Sequence, residues 1–217
     1  MKLVLISDTH TYHRQVELPE GDILIHAGDF TARGRWGEVV DFFYWLEDQA
    51  KKYKHIIFIA GNHDLSFENK SHDLLKELSD LTLAFPNIHY LEDTEVIIDG
   101  IKFYGSPWQP EFHSWAFNLP RGEKLAEKWS LIPNDTDILI THGPPLSICD
   151  YTYRDKINVG CKHLYDKIIE VKPKLHIFGH IHECYGVSTE NADTTFINAS
   201  ICTLMYSPDN KPILFDI

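Results

Sequence analysis

Short apolar runs alternate with longer amphipathic stretches along the chain. Four stretches with apolar residues at helical spacing predict helices at Gly37–Tyr53, Ser71–Leu81, Gly122–Trp129 and Cys161–Val171. Runs rich in Ile, Val, Leu and Phe predict nine strands, at Lys2–Ser7, Asp22–His26, His55–Ala60, Glu95–Ile98, Lys102–Gly105, Asp137–Thr141, Leu175–Phe178, Thr194–Asn198 and Pro212–Phe215. This order indicates a single α/β domain over residues 1–217, with two sheets or one large mixed sheet flanked by helices. A β-meander is expected over residues 88–108.

Five of the predicted strands run directly into polar residues that could bind metal. In an open α/β sheet, the carboxyl ends of parallel strands share one edge, and ligand sites form there. Carboxylate and imidazole groups suit Mn, Fe, Zn and similar ions. Seven such side chains are too many for one tetrahedral ion, but they suit two ions that share a bridging carboxylate, roughly 3.5–4 Å apart. The candidates are Asp8, His10, Asp29, Asn62, His142, His180 and His182.

The ordered blocks that carry these residues resemble those of a known superfamily. The blocks D-T-H, G-D, G-N-H-D, T-H-G and G-H-I-H, between residues 8 and 182, are similar to those of the calcineurin-like metallophosphoesterases. Further blocks, among them W-A-F-N-L-P-R-G from Trp115 and N-A-S-I-C-T from Asn198, resemble the metallophosphoesterase-domain-containing group. The resemblance implies a two-sheet β-sandwich flanked by helices. It also implies a first ion held by Asp8, His10 and His182, a bridging Asp29, and a second ion held by Asn62, His142 and His180.

A phosphoesterase mechanism follows from this resemblance. Two divalent ions, with Mn expected and Fe, Zn, Ni, Co and Mg as alternatives, would offset the charge of the phosphate ester. They would also lower the pKa of a bridging water, so that the resulting hydroxide attacks phosphorus. His63, in the G-N-H-D block, is expected to protonate the leaving oxygen. Asp64 is expected to hold the proton of His63, and the alternative role for Asp64 is a helix N-cap.

Substrate contacts are predicted from one cation and from an aromatic-rich segment. The block D-F-T-A-R-G resembles D-x-V-D-R-G of protein Ser/Thr phosphatases, in which the Arg binds phosphate, although Ala32 stands where that block has Asp. The alternative for this Arg is a solvated loop cation. Residues 103–117 include six aromatic side chains, which could stack on a nucleobase or pack in the core. The predicted contacts are Arg33, Phe67, Trp108, His113, Trp115 and Asn118.

Composition and charge argue against some classes of function. The 217 residues have a formal net charge of −12, which argues against non-specific nucleic-acid binding. The composition argues against a membrane-spanning chain. Because the first apolar run is too short for a signal peptide and the four cysteines form no C-x-x-C pair, we expect reduced thiols and a cytoplasmic location.

The leading hypothesis is a phosphodiesterase acting on a small phosphodiester, such as a cyclic nucleotide. A phosphomonoesterase and a non-catalytic scaffold that binds a protein partner are the alternatives, and the oligomeric state stays open.

Overall fold

The computed structural model describes residues 1–188 and 193–217, in which two main sheets form the centre of the fold. In chain order the strands are β1 (Lys2–Ile6), β2 (Ile23–His26), β3 (His55–Phe58), β4 (Ile88–Tyr90), β5 (Thr94–Ile98), β6 (Ile101–Ser106), β7 (Gln109–Pro110), β8 (Asn118–Leu119), β9 (Ile138–Thr141), β10 (Tyr151–Thr152), β11 (Ile157–Asn158), β12 (Leu175–Phe178), β13 (Gly186–Ser188), β14 (Thr195–Asn198) and β15 (Ile213–Asp216). The helices are α1 (Trp36–Ala50), α2 (Leu65–Asn69), α3 (His72–Ala84), α4 (Glu123–Ser130) and α5 (Lys162–Val171). Two short 3₁₀ helices lie at Tyr12–Gln15 and His182–Cys184.

The two sheets are built mainly from parallel strands. The first sheet has the order β15-β1-β2-β3-β4, and only β15 in it runs antiparallel to its neighbour. The second sheet has the order β13-β14-β12-β9-β6-β5, with antiparallel strands at both edges. The pairs β7–β8 and β10–β11 form separate two-stranded ribbons.

Alternating residues of the central strands face two different cores. Leu3 and Leu5 of β1 belong to the core between the sheets, together with Ile138 and Ile140 of β9. Val4, the residue between them, belongs to the core that the first sheet forms with α1, α2 and α3. The second sheet packs its outer face on α4 and α5. The molecule therefore has four layers, helices on the outside and two sheets packed face to face, as the sandwich prediction requires.

The predicted elements are confirmed with small changes at their ends. Each of the nine predicted strands is present, and its ends differ from the prediction by at most two residues. All four predicted helices are present, whereas the short helix α2 and the short ribbons were not predicted. The expected meander over residues 88–108 is wrong, because β4 pairs with β3 in the first sheet and β5–β6 form a hairpin in the second. The chain crosses between the sheets after β4. The single-domain interpretation stays a prediction.

No helix in the two described ranges is long and apolar enough to cross a bilayer.

Candidate metal centre

The edge at which β1, β2, β3, β9 and β12 end carries all of the predicted metal ligands. The two sheets meet at this edge, where Ser7 after β1 forms an isolated bridge with Ser200 after β14. The predicted common edge is therefore one that both sheets share. Side-chain nitrogen and oxygen atoms converge there from Asp8, His10, Asp29, Asn62, His142, His180 and His182.

The first ligand group consists of Asp8, His10 and His182. Their ligand atoms all lie within 4.8 Å of one another. The Nε2 atom of His182 is 3.3 Å from Oδ1 of Asp8 and 3.2 Å from Nε2 of His10. One ion could therefore contact all three side chains.

The second ligand group consists of Asp29, Asn62, His142 and His180. Nε2 of His142 lies 3.0 Å from Oδ1 of Asn62 and 3.3 Å from Oδ2 of Asp29. The same Oδ2 atom of Asp29 is 3.9 Å from Nε2 of His10 in the first group. Asp29 thus lies between the two groups, at the position that a bridging carboxylate must occupy.

Backbone carbonyls orient the two imidazoles of the first group. Nδ1 of His10 lies 3.3 Å from the carbonyl of Thr31, and Nδ1 of His182 lies 3.0 Å from the carbonyl of Thr203. Because a carbonyl only accepts, each Nδ1 carries a proton, and Nε2 is the nitrogen that presents a lone pair when the ring is neutral. In the neutral rings two lone pairs face each other at 3.2 Å, and they repel unless a proton or a metal ion lies between them. This arrangement fits a divalent ion.

The second group shows the same pattern. Nδ1 of His142 lies 3.0 Å from the carbonyl of Ala27, so its Nε2 also presents a lone pair. That lone pair faces two oxygen acceptors, from Asn62 and Asp29. Acceptors that converge in this way again fit a cation, either a proton on Nε2 or a metal ion. The donor types, imidazole and oxygen with no thiolate, are those of Mn, Fe and Zn sites.

The charges of the buried carboxylates add to this attraction. Burial opposes ionisation of Asp8, but the hydrogen bond and charge of His182 hold the pKa of that carboxyl well below its usual range. Burial also opposes ionisation of Asp29, and the charge of His142 holds its pKa low. Burial lowers the pKa of His10 to about 4 and that of His180 to about 3.

The carboxylates act in the opposite direction on the other two imidazoles. Burial opposes protonation of His142, but the charge and hydrogen bond of Asp29 raise its pKa to about 9, and the hydrogen bond and charge of Asp8 likewise raise the pKa of His182. A divalent ion would replace the protons on these two rings, because metal ligands bind in their deprotonated form.

Several candidate ligands adopt a backbone conformation that is rare for residues with a side chain. The φ angle is 49° at Asp8, 41° at His10, 57° at Asp29 and 67° at His180. Each such residue costs of order 1–3 kcal/mol, and strain of this kind clusters at functional sites. The tight turns after the strands place these side chains over the edge of the sheets.

Glycines beside the ligands are required by close packing. A Cβ at Gly61 would collide with the carboxylate of Asp29, and a Cβ at Gly179 would collide with that of Asp8. The G of the G-N-H-D and G-H-I-H blocks therefore makes room for a carboxylate from another strand.

His63 lies beside the ligand cluster. Its backbone N–H donates to Oδ1 of Asp29 at 2.7 Å, and its ring meets that of His10 edge-on, with 4.6 Å between ring centroids. The indole of Trp115 stacks on the imidazole at 4.0 Å, and the guanidinium of Arg33 lies 5.5 Å from the centroid of that indole. The structure thus brings three of the predicted site residues together.

Asp64 does not hold the proton of His63, so this prediction is wrong. Nδ1 of His63 instead donates to the carbonyl of Ala32 at 2.7 Å. The carboxylate of Asp64 is fully buried and accepts four hydrogen bonds, from the backbone N–H groups of Asp29, Thr31 and Gly61 and from the hydroxyl of Thr31. The reason is that the turn directs this carboxylate inward, where it ties the loops after β2 and β3 together.

The N-cap alternative for Asp64 is supported only by its position. Asp64 precedes the first residue of α2, but its side chain makes no capping hydrogen bond. Burial, followed by the negative charge of Asp29, raises the pKa of Asp64 to about 7. Its four donors act in the opposite direction, because they stabilise the ionised form.

Phe67 lies in the core and not in the site, so the prediction that it contacts substrate is wrong. Its side chain is 1% exposed, and its ring packs against those of Phe30, Phe58 and Tyr90. The helix α2 begins directly after the ligand loop and turns this face toward the first sheet.

Trp108 and Asn118 make contacts within the chain, and their predicted substrate contacts stay predictions. Nε1 of Trp108 donates to Asp93, and the ammonium of Lys128 lies 4.3 Å from its ring centroid. The amide of Asn118 donates to the carbonyls of Phe112 and His113. Both side chains already have partners within the chain.

The ring of Phe112 lies between His113 and the second ligand group. Its imidazole lies 4.3 Å from the ring of Phe112, which in turn lies 6.1 Å from the ring of His180. A substrate contact of His113 stays a prediction.

Two aromatic residues at the site were not among the predicted contacts. The ring of Tyr206 lies 4.9 Å from His10 and 5.1 Å from His182, against the first ligand group. Phe112 borders His180 in the second group. Phe112 belongs to the aromatic-rich segment, which was a signal for it. No spacing or motif near Tyr206 points to the site.

Comparisons with known proteins agree with this geometry. A family model described as calcineurin-like phosphoesterase matches residues 1–184. The chain is 45% identical over 233 residues to Metallophosphoesterase domain-containing protein 1 of Homo sapiens, with 100% of this chain and 71% of that protein covered. The same figures hold for the protein of that name from Mus musculus. A solved crystal structure with 16% identity has the same fold, with a TM-score of 0.66 and coverage of 91% of this chain and 89% of the other.

The chain belongs to the calcineurin-like phosphoesterase family. Family membership and the candidate ligand clusters together support a metal-binding phosphoric ester hydrolase.

Proposed function

We propose that this chain is a phosphodiesterase that hydrolyses a small phosphodiester at a centre of two divalent ions, with Mn as the expected metal. Cyclic nucleotides are the first candidates among such substrates. The net charge of −12 argues against long nucleic acids as substrates. We also propose a cytoplasmic location, which is favoured by the buried thiols of Cys161 and Cys202.

The observation that carries the diester assignment is the presence of an exposed aromatic ring beside each ligand group. Tyr206, 48% exposed, contacts histidines of the first group, and Phe112, 49% exposed, borders His180 of the second. A phosphodiester is esterified at two of its oxygens, so organic atoms on both sides of phosphorus can each lie against one ring, whether they belong to two groups or, in a cyclic nucleotide, to one nucleoside. A phosphomonoester is esterified at one oxygen only and would leave one ring without a contact.

The residues that would hold the ions are the two ligand groups, with Asp29 between them. When bound, the two ions neutralise the charge of the ester and promote ionisation of water. Arg33 would bind a non-bridging phosphate oxygen, because a guanidinium pairs well with anionic oxygens. Its position over Trp115 keeps the cation near His63.

His63 would protonate the leaving group. The Ala32 carbonyl accepts from Nδ1 of His63, so in the doubly protonated imidazolium Nε2 is the nitrogen that donates to substrate. In the reaction, a water oxygen forms a bond to phosphorus while the bond to the leaving oxygen breaks. The water gives one proton to solvent, and the leaving oxygen gains one from His63, which solvent then protonates again.

The test compares initial rates on an aryl phosphodiester and the matching monoester, using metal-depleted protein to which Mn is added back. We expect the diester rate to be well above the monoester rate. We expect His63→Ala to lower kcat on esters with poor leaving groups by about 10²–10⁴-fold, with a smaller loss on good leaving groups. His72→Ala, an exposed histidine of α3, is the matched control and should keep the wild-type rates.

Each other outcome has a defined meaning. A dominant monoester rate would replace the proposal with a phosphatase. An absence of hydrolysis despite two bound ions would favour a scaffold that binds a protein partner. An equal loss on good and poor leaving groups in His63→Ala would contradict the acid role of His63.

A further inference from the structure

The indole of Trp115 is engaged by the protein itself. It lies on the imidazole of His63 with 4.0 Å between ring centroids and 21° between ring planes. One face of the indole is therefore covered by His63. A nucleobase could not stack on that face, although the aromatic segment suggests such a role for this residue.

The imidazole of His63 needs two restraints to aim its Nε2 atom. Its hydrogen bond to the carbonyl of Ala32 holds Nδ1 but still allows the ring to tilt about that bond. The stacked indole restrains the plane of the ring. His10, which meets the imidazole edge-on, borders it from another direction. Together these contacts define where Nε2 points.

The segment that carries Trp115 is attached to the loop that carries His63. The backbone N–H of Ala116 donates to the carbonyl of Asn62 at 3.0 Å. The backbone N–H of Phe117 donates to Glu68 of α2 at 2.9 Å, and Ala116 and Phe117 are fully buried in the core beside the helices. The indole is half-buried and rises from this rigid base, so its distance from His63 is set by the core.

Arg33 extends the same stack. Its guanidinium carbon lies 5.5 Å from the centroid of the indole, within the range of a cation–π contact. Trp115 thus contacts both the proposed proton donor and the proposed phosphate-binding cation. Because Arg33 is exposed and its contact with the indole is the longer of the two, the position of its guanidinium depends on Trp115 less than the position of the imidazole does.

We propose that Trp115 is a positioning residue, which holds the imidazole of His63 in the orientation for proton transfer to the leaving oxygen. This inference rests on the proposed function, in which His63 is the acid. The residue acts through His63 and has no need to touch the substrate.

The test uses two substitutions and a series of aryl phosphodiesters with leaving groups of increasing pKa. Trp115→Phe keeps a flat ring, whereas Trp115→Leu keeps apolar volume without one. For Trp115→Leu we expect kcat to fall about 10–100-fold on the poorest leaving groups and little on the best, since small misplacements of catalytic groups have effects of this size. KM should change less than about threefold, and the bound metal and the melting temperature should stay near wild type. Trp115→Phe should recover most of kcat.

A double variant makes the test specific. In a His63→Ala background, Trp115→Leu should lower the rate no further, because the group that it positions is absent. Tyr44→Ala, an exposed aromatic residue of α1, is the control and should leave all rates unchanged.

Three results would overturn the inference. A loss in Trp115→Leu that is the same for all leaving groups would indicate a general structural role. A raised KM with unchanged kcat would indicate substrate contact. An additive loss in the double variant would show action independent of His63. The His63→Ala series alone tests the proposed acid, so a lack of leaving-group dependence there would overturn the proposed function and, with it, the role of Trp115.

Discussion

The two ligand groups of the metal centre are held by different parts of the molecule. In the second group, His142 is oriented by the carbonyl of Ala27, a fully buried residue at the end of β2. In the first group, His182 is oriented by the carbonyl of Thr203, in an exposed turn where Met205 is 84% exposed. The second group is therefore preformed by the core. The first group depends in part on a surface turn, and its geometry is easier to change.

A buried histidine–threonine pair lies behind each group. Thr9, between two ligands of the first group, is 2.9 Å from Nε2 of His26 in β2. Thr141, directly before His142, is 2.8 Å from Nε2 of His176 in β12. His26 also accepts from the backbone N–H of Gly28, whereas Nδ1 of His176 is buried without a hydrogen-bond partner. The support behind the first group thus makes more hydrogen bonds, although the turn that covers that group is exposed.

The largest effect is expected where the two groups meet. Asp29→Ala removes the carboxylate that lies between them, so we expect both ions to be lost and hydrolysis to fall to background. Metal content after dialysis, measured by elemental analysis, checks this outcome. Asp73→Ala, an exposed carboxylate of α3, is the control. Retention of two ions per chain by Asp29→Ala would refute a bridging role.

The next largest effect is expected from Asp64, which holds the loops of the second ligand group, when it is compared with Ser200, which holds Asp8 of the first. Asp64→Asn places an amide where three backbone N–H groups donate, so buried donors lose their acceptor. We expect ion affinity to fall about 10–100-fold and the free energy of unfolding to fall by about 3 kcal/mol. Ser200→Ala removes only one donor to Asp8, which keeps the backbone N–H of His180. Its loss of ion affinity should be smaller.

Chelator competition gives both affinities, and denaturant unfolding gives both stabilities. A larger loss of ion affinity in Ser200→Ala than in Asp64→Asn would contradict this expectation. It would show that ion binding depends more on the hydroxyl of Ser200 than on the hydrogen bonds that Asp64 accepts.

The smallest effect concerns pH and the two buried histidines. Burial lowers the pKa of His26 and that of His176 to about 3, from an ordinary value near 6.5. Above pH 6.5 each is neutral in both states and adds no pH dependence. As the pH falls below 6.5, the unfolded chain binds a proton that the folded chain cannot, so stability is lost. Between pH 6.5 and 5 each histidine accounts for about 2 kcal/mol of this loss.

Substitution should distinguish the two histidines. His176→Leu should reduce the acid-dependent loss at little cost at pH 7.5, because Thr141 still donates to the carbonyl of Gly143. His26→Leu should cost about 1–3 kcal/mol at pH 7.5, since two hydrogen bonds are lost. Urea unfolding of metal-depleted protein at pH 7.5 and 5 measures both. Equal costs at pH 7.5 would show that the supports are equivalent.

The candidate ligands could be predicted because each follows a strand within a few residues. The direction of Asp8 or His142 depends on the strand that precedes it, and parallel strands end at a shared edge. Asp64 shows the limit of this reasoning. It stands next to His63 in sequence, but the turn directs its carboxylate inward to the backbone of Asp29 and Thr31.

The aromatic residues are a second case in which the sequence could not predict where a side chain lies. The density of rings in residues 103–117 predicted stacking, but it could not tell a ring at the site from a ring in the core. Trp115 faces His63, whereas Trp108 packs beside Asp93 and Lys128. Adjacent turns of one irregular segment place these two indoles in different surroundings.

The sequence by itself determined the alternation of strands and helices and the side chains that can bind ions, because periodicity and strand-end motifs act over a few neighbouring residues. The two-sheet sandwich was implied by the resemblance of these motifs to a known superfamily. Only the tertiary structure decided that Trp115 stacks on His63 and that the ring of Tyr206 lies against the first ligand group. These contacts join distant parts of the chain across the edge of two sheets. Their geometry depends on how the buried cores pack, which local spacing does not specify.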